Sequence, residues 1–171
     1  AEINTGNTLS DPSFRDEKGR LKTFDFAVAN PPFSSKNWTS GITPADDPFE
    51  RFSYGIPPEK NGDYAFLLHL LKSLKPSGKG AIILPHGVLF RGNAEARIRT
   101  ELLNLGLIKG IIGLPANLFY GTGIPACIIV IDKEHAQTAQ FAEDGSRQVI
   151  SGGSVFIIDA SRGFIKDGNK N

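Results

Sequence analysis

The chain's 171 residues suit one compact domain, and 49 of them are Leu, Ile, Val or Phe, enough to bury a sizeable core and to exclude a disordered chain. Nineteen basic against eighteen acidic residues leave a formal charge of +1, which excludes a polybasic protein that holds nucleic acid by bulk charge, so any such contact must be local. A single cysteine, Cys127, and three scattered histidines exclude a disulfide framework and offer no zinc spacing, so no metal is expected. No apolar run approaches the roughly 20 residues of a membrane span, and the first ten residues lack the layout of a signal peptide, so a cytoplasmic protein with no membrane contact is expected.

Residues 1–23 are polar and rich in turn formers (Asn4, Gly6, Asn7, Ser10, Asp11, Pro12, Gly19) and predict a loop. Phe24–Ala29 is a short apolar run halted by Asn30, Pro31 and Pro32, the pattern of a buried strand. Residues 34–61 carry Gly41, Pro44, Asp46, Asp47, Pro48, Gly55, Pro57 and Pro58 and predict a long loop, which beside a core strand is more often functional than idle. In residues 63–75, Ala65, Phe66, Leu68, Leu70, Leu71 and Leu74 predict a largely buried helix stopped by Pro76 and Gly78. Residues 81–84 predict an apolar strand ended by Pro85. Residues 94–104 predict an amphipathic helix in which Glu95, Arg97, Arg99 and Glu101 oppose Ile98, Leu102 and Leu103. Strands follow at 108–114 and 126–132 around the loop 115–125, and a polar connection, 133–153, leads to a last strand at 155–158. Strands alternating with helices imply an α/β three-layer body with a parallel sheet, and the bare loop between the two later strands permits an antiparallel strand pair at one side. The chain reads as one domain, 1–171, with a polar loop at 1–23, a core at 24–132, and a linker plus final strand at 133–171.

In open α/β sheets ligands bind at the carboxyl ends of the strands, where Asn30-Pro31-Pro32-Phe33 falls. The residue before a proline is held extended, and prolines donate no backbone hydrogen bond, so the tetrapeptide forms a rigid corner lined with acceptors. The Asn30 amide oxygen and the Pro31 carbonyl can together accept both protons of a planar amino group, and Phe33 offers a face on which a base can stack. The same tripeptide also serves as a plain strand-ending turn.

The run FDFAVANPPF (24–33) resembles the catalytic signature of amino-group methyltransferases. Residues 80–90 (GAIILPHGVLF), 111–133 (IIGLPANLFYGTGIPACIIVIDK), 156–161 (FIIDAS) and Gly6-Asn7-Thr8-Leu9 resemble blocks of the DNA adenine methyltransferase (M) subunit of type I restriction-modification systems. The four-residue signature also occurs in enzymes that methylate glutamine side chains or guanine in RNA, so the later blocks carry the specificity. The resemblance implies a partial Rossmann-like fold dependent on S-adenosylmethionine and methylation of adenine N6 in DNA. By the resemblance, Asn30 and Pro31 hold the exocyclic amine of a flipped adenine, Pro32 stiffens the corner and Phe33 stacks on the ring. Phe119 then lines the far side of the base pocket or is a core phenylalanine. Asn7 faces the cofactor's adenine or is an ordinary turn residue, and Phe66 reaches the cofactor or is a helix core residue. The implied partners are DNA, a specificity subunit that reads sequence, and a restriction subunit.

The family's glycine-rich turn for the methionine part of the cofactor, and the acidic residue for its ribose, have no counterpart upstream of Asn30. With no methionine, a start at Ala1 and a polar end, the sequence reads as the catalytic half of a longer methyltransferase. The strand at 24–29 would then expose an apolar edge, with self-association or marginal stability as the consequence, and the chain alone would be inactive. The alternatives are a methyltransferase-like binding or scaffold segment, or methylation of another amino group: glutamine, RNA guanine or cytosine N4. Gly121-Thr122-Gly123 does not join a strand to a helix and is read as loop flexibility. His69, His86 and His135 have no paired nucleophile, and Cys127 reads as core. Arg91, Arg97 and Arg99, interleaved with Glu95 and Glu101, read as a solvated face.

Overall fold

The computed structural model describes residues 2–119, 122–134, 136, 140–141, 147–148 and 153–165; His135 and Gly121 lie outside them. In chain order the regular elements are β1 (Phe24–Ala29), α1 (Asp63–Lys72), β2 (Leu74–Pro85), α2 (Asn93–Asn104), β3 (Ile108–Gly113), β4 (Ala126–Asp132), β5 (Gln140–Phe141), β6 (Arg147–Gln148) and β7 (Phe156–Asp159). Five strands make one mixed sheet in the order β1-β2-β4-β3-β7, and β5 pairs with β6 as a small antiparallel ribbon within the connection expected to be irregular. β1 runs parallel to β2 and β7 parallel to β3, whereas β4 is antiparallel to both β2 and β3. A short loop suffices to reverse β3 into β4, while each parallel pair needs a longer crossover.

Strand alternation places Ile82 and Leu84 of β2 and Cys127, Ile129 and Ile131 of β4 in one core with the buried leucines of α1 and with Ile98 and Leu102 of α2. Each such fully buried side chain contributes about 1.5–3 kcal/mol. Leu9 joins the same core, so the amino-terminal loop is fastened rather than free. Because both helices enter one core, the expected three-layer body has its helices on a single face among the described residues. On the other face Phe26 and Val28 are 76% and 84% exposed, and Phe156 and Ile158 also reach solvent. β1 stands at the edge of the sheet, where the strand at 24–29 was expected to expose an apolar edge, but the burial its apolar run predicts is missing on one face: an apolar run reports hydrophobicity but not whether a sheet has a second cover. Gly110 of β3 is required by packing, since a Cβ there would lie 2.1 Å from the Phe156 ring of β7.

Other differences from expectation have local causes. α1 ends at Lys72 rather than 75: the Ser73 N–H still makes the helical bond to the His69 carbonyl, but the Ser73 carbonyl accepts Phe24 N–H at 2.9 Å and joins the strand pairing instead. β2 consequently starts at Leu74, well before 81. Its pairing with β1 jumps from Leu74 to Lys79 across one partner residue, leaving the segment with Pro76 and Gly78 to bulge. The solvated face assigned to α2 is also corrected: Glu95 is 1% exposed and ion-paired with Arg91, and Arg99 donates to the carbonyls of Val88 and Arg91.

The loop between β1 and α1 is held by side chains. Trp38 is buried, packs edge-on to Phe52 at 5.4 Å and donates from Nε1 to the Pro58 carbonyl at 2.8 Å. Arg51 is buried against Asp47 at 2.6 Å and lies over the rings of Phe49 and Phe52. Among the described residues no helix is long and apolar enough to cross a membrane, and no cluster of three or more metal-ligating side chains occurs.

Candidate active site

β1 pairs through Ala29 with Ile82 of β2, so Asn30, Pro31 and Pro32 leave the sheet at the carboxyl end of two parallel strands. Asn30 is exposed, and its amide has no hydrogen-bond partner among the described residues. Phe33 is half-buried and meets Phe119, from the β3–β4 loop, with ring centroids 5.7 Å apart and planes at 81°. This edge-on arrangement is a favoured aromatic geometry. Sequence-distant Phe33 and Phe119 are thus brought together beside the Asn30 corner, with free acceptors and aromatic surface adjoining.

Asn7 and Phe66 have no hydrogen bond or ring contact with residues 30–33 among the described residues. The Asn7 side-chain oxygen accepts the backbone N–H groups of Leu9 and Ser10 at 3.0 and 3.3 Å, which makes it a turn residue whose acceptor is already engaged. Phe66 packs on the core from α1. Cys127 is a core residue as expected, and burial pushes its thiol up to about 11, away from reactivity.

Sequence reasoning passed over a polar cluster behind the corner. Ser34 adopts a left-handed φ of 51° directly after Phe33 and donates its N–H to Asp63 Oδ1 at 2.7 Å. Asp63 Oδ2 accepts from the Arg91 guanidinium at 2.6 Å, and Arg91 in turn bonds both oxygens of Glu95. The one available signal was the four-residue spacing of Arg91 and Glu95, which equally fits a solvated pair. His86 stands at the end of β2, with its backbone N–H bonded to Pro125; its ring Nε2 is buried without a partner among the described residues.

The sheet order and helix placement define a methyltransferase-type α/β fold: a putative class I S-adenosylmethionine-dependent methyltransferase from Listeria monocytogenes matches 82% of this chain and 38% of its own, with TM-score 0.50 and 16% identity. The chain belongs to the N-6 DNA methylase family, whose model matches residues 1–171. It is 36% identical over 157 residues to the type I restriction enzyme HindI methylase subunit of Haemophilus influenzae, covering 91% of this chain and 32% of that protein. The crystal structure of a type I restriction-modification methyltransferase subunit from Streptococcus thermophilus is 41% identical with TM-score 0.75, over 96% of this chain and 31% of its own. The chain therefore spans about a third of these two type I subunits.

Proposed function

We propose that this chain carries the base-gripping part of a DNA adenine-N6 methyltransferase of a type I restriction-modification system. The observation behind this reading is the Asn30-Pro31-Pro32-Phe33 corner at the end of β1 with the Phe119 ring against Phe33. A target adenine rotated out of the duplex stacks on Phe33 and meets Phe119 at its margin, while Asn30 Oδ1 and the Pro31 carbonyl accept its two amino protons. The adenine amine is a weak nucleophile because its lone pair is delocalised into the ring; two acceptors favour a more tetrahedral nitrogen and aim the lone pair. Bound S-adenosylmethionine supplies the methyl group. Of the two residues of this chain that the resemblance brings to the cofactor, Asn7 has its side-chain oxygen engaged by the N–H groups of Leu9 and Ser10, and Phe66 is partly buried against the core. Because the related subunits are about three times as long as this chain, the cofactor is held mainly by the remainder of the subunit, and this chain alone is inactive.

DNA is the substrate, and with a formal charge of +1 and no recognition motif, sequence reading falls to a specificity subunit, with a restriction subunit completing the system. The test is methylation of duplex DNA by the full-length subunit with its specificity partner. N6-methyladenine is the expected product by mass spectrometry of the nucleosides, and N4-methylcytosine, or methylation only of protein or RNA, would overturn the reading. The open sheet face with Phe26, Val28, Phe156 and Ile158 has its own consequence. The isolated chain is expected to self-associate at high concentration, and a monodisperse monomer in sedimentation velocity at millimolar concentration would count against this.

A further inference from the structure

We propose that Asp63 is a positioning residue for the base corner: its carboxylate, anchored by Arg91, holds Ser34 in its left-handed conformation and thereby sets Phe33 against Phe119. The inference rests on reading residues 30–33 as the base corner. Asp63 is 0% exposed and is the first residue of α1, where an acid would ordinarily serve its own helix. Its oxygens do otherwise. Oδ1 accepts Ser34 N–H at 2.7 Å and Oδ2 accepts Arg91 at 2.6 Å, so both point out of the helix, one toward the corner and one toward α2.

Ser34 is one residue past Phe33 and is a non-glycine with φ 51°, a conformation that persists where its surroundings hold it. A charge-assisted hydrogen bond to its N–H is a suitable hold. The neighbouring backbone is clamped as well, since Gly62 N–H donates to the Ser35 carbonyl at 2.9 Å. Arg91 is itself fixed: Glu95 and Asn61 Oδ1 take its other bonds, and its guanidinium lies over Gly87, where a Cβ would approach to 2.1 Å. The network ties the corner, α1 and α2 into one rigid unit at the carboxyl end of the sheet.

The test uses the full-length methyltransferase with its specificity partner, comparing wild type, Asn30→Ala, Asp63→Ala and Asp63→Asn. Readouts are kcat, the KM for S-adenosylmethionine, and fluorescence of 2-aminopurine at the target position. Asp63→Ala is expected to lower kcat tenfold or more and to alter the 2-aminopurine signal, with the cofactor KM unchanged within twofold. Asp63→Asn keeps an oxygen acceptor for Ser34 N–H but turns an NH2 donor toward the Arg91 guanidinium, and is expected to recover only part of the loss. Normal kcat and signal in Asp63→Ala, while Asn30→Ala is dead, would overturn this inference and leave the base corner standing; an active Asn30→Ala would remove both. Should Asp63→Ala fail to fold, hydrogen exchange of the wild-type Ser34 amide decides: strong protection supports the clamp, and exchange as fast as at exposed Lys36 overturns it.

Discussion

Asn30→Ala is expected to lower methyl transfer by the full-length enzyme about 10²- to 10³-fold, the usual cost of deleting one positioned hydrogen-bonding group from a reacting centre. The side chain is exposed and has no partner among the described residues, so its loss removes nothing from the fold, and stability should change by no more than about 0.5 kcal/mol. The Pro31 carbonyl remains but accepts only one amino proton, leaving the nitrogen's lone pair poorly aimed. Binding of S-adenosylmethionine, measured by calorimetry, should be unaltered, which separates loss of chemistry from loss of the cofactor site. Asn30→Asp retains an acceptor oxygen and should keep more activity than Asn30→Ala. Retention of more than a tenth of wild-type kcat in Asn30→Ala would remove Asn30 from the chemistry. Phe33→Ala should behave differently, costing about 1–3 kcal/mol of stacking and appearing first in binding of the flipped base.

What could be read from the sequence follows the reach of each signal. β1 and β4 have the predicted bounds because each is a mainly apolar run with a proline within two residues of one end. α2 starts one residue early, at Asn93. The end of α1 differs because Leu74 continues the apolar spacing and Pro76 offers an obvious stop, whereas the Ser73 carbonyl accepts Phe24 N–H and Leu74 pairs with Phe24 in the sheet. In the site, the Asn30 to Phe33 corner was legible from four adjacent residues and from position in the fold. The meeting of Phe33 with Phe119 spans two crossovers and was suggested only by resemblance to the family. Asp63, Arg91 and Glu95 were not legible, because composition and periodicity assign charges to solvent. Only tertiary packing shows that a guanidinium lies between two carboxylates, each 0–1% exposed.

The protein is expected to lose about 3 kcal/mol of folding stability between pH 6.5 and pH 4 through His69 alone. His69 lies on α1 with Nδ1 3.4 Å from the Arg51 guanidinium, which can only donate, so the imidazole must be neutral there and accept. Burial, reinforced by the Arg51 charge and opposed by Asp47, pushes its pKa from 6.5 down to about 4. The folded pKa lies below the unfolded one. Above pH 6.5 both states hold a neutral ring and the native contact is at full strength; as pH falls, the unfolded chain takes up a proton that the native chain refuses, until the folded pKa is reached. His69→Gln retains an oxygen acceptor for Arg51 but does not titrate. Urea unfolding from pH 7.5 to 4 should therefore show a steeper decline for wild type than for the variant, and parallel profiles would refute the assignment. Arg51 and its buried partner Asp47 belong to the loop that begins just after Phe33, so acid weakening of the Arg51–His69 contact acts on the loop that follows residues 30–33. Methyl transfer should then fall below pH 5 with wild type more acid-sensitive than His69→Gln.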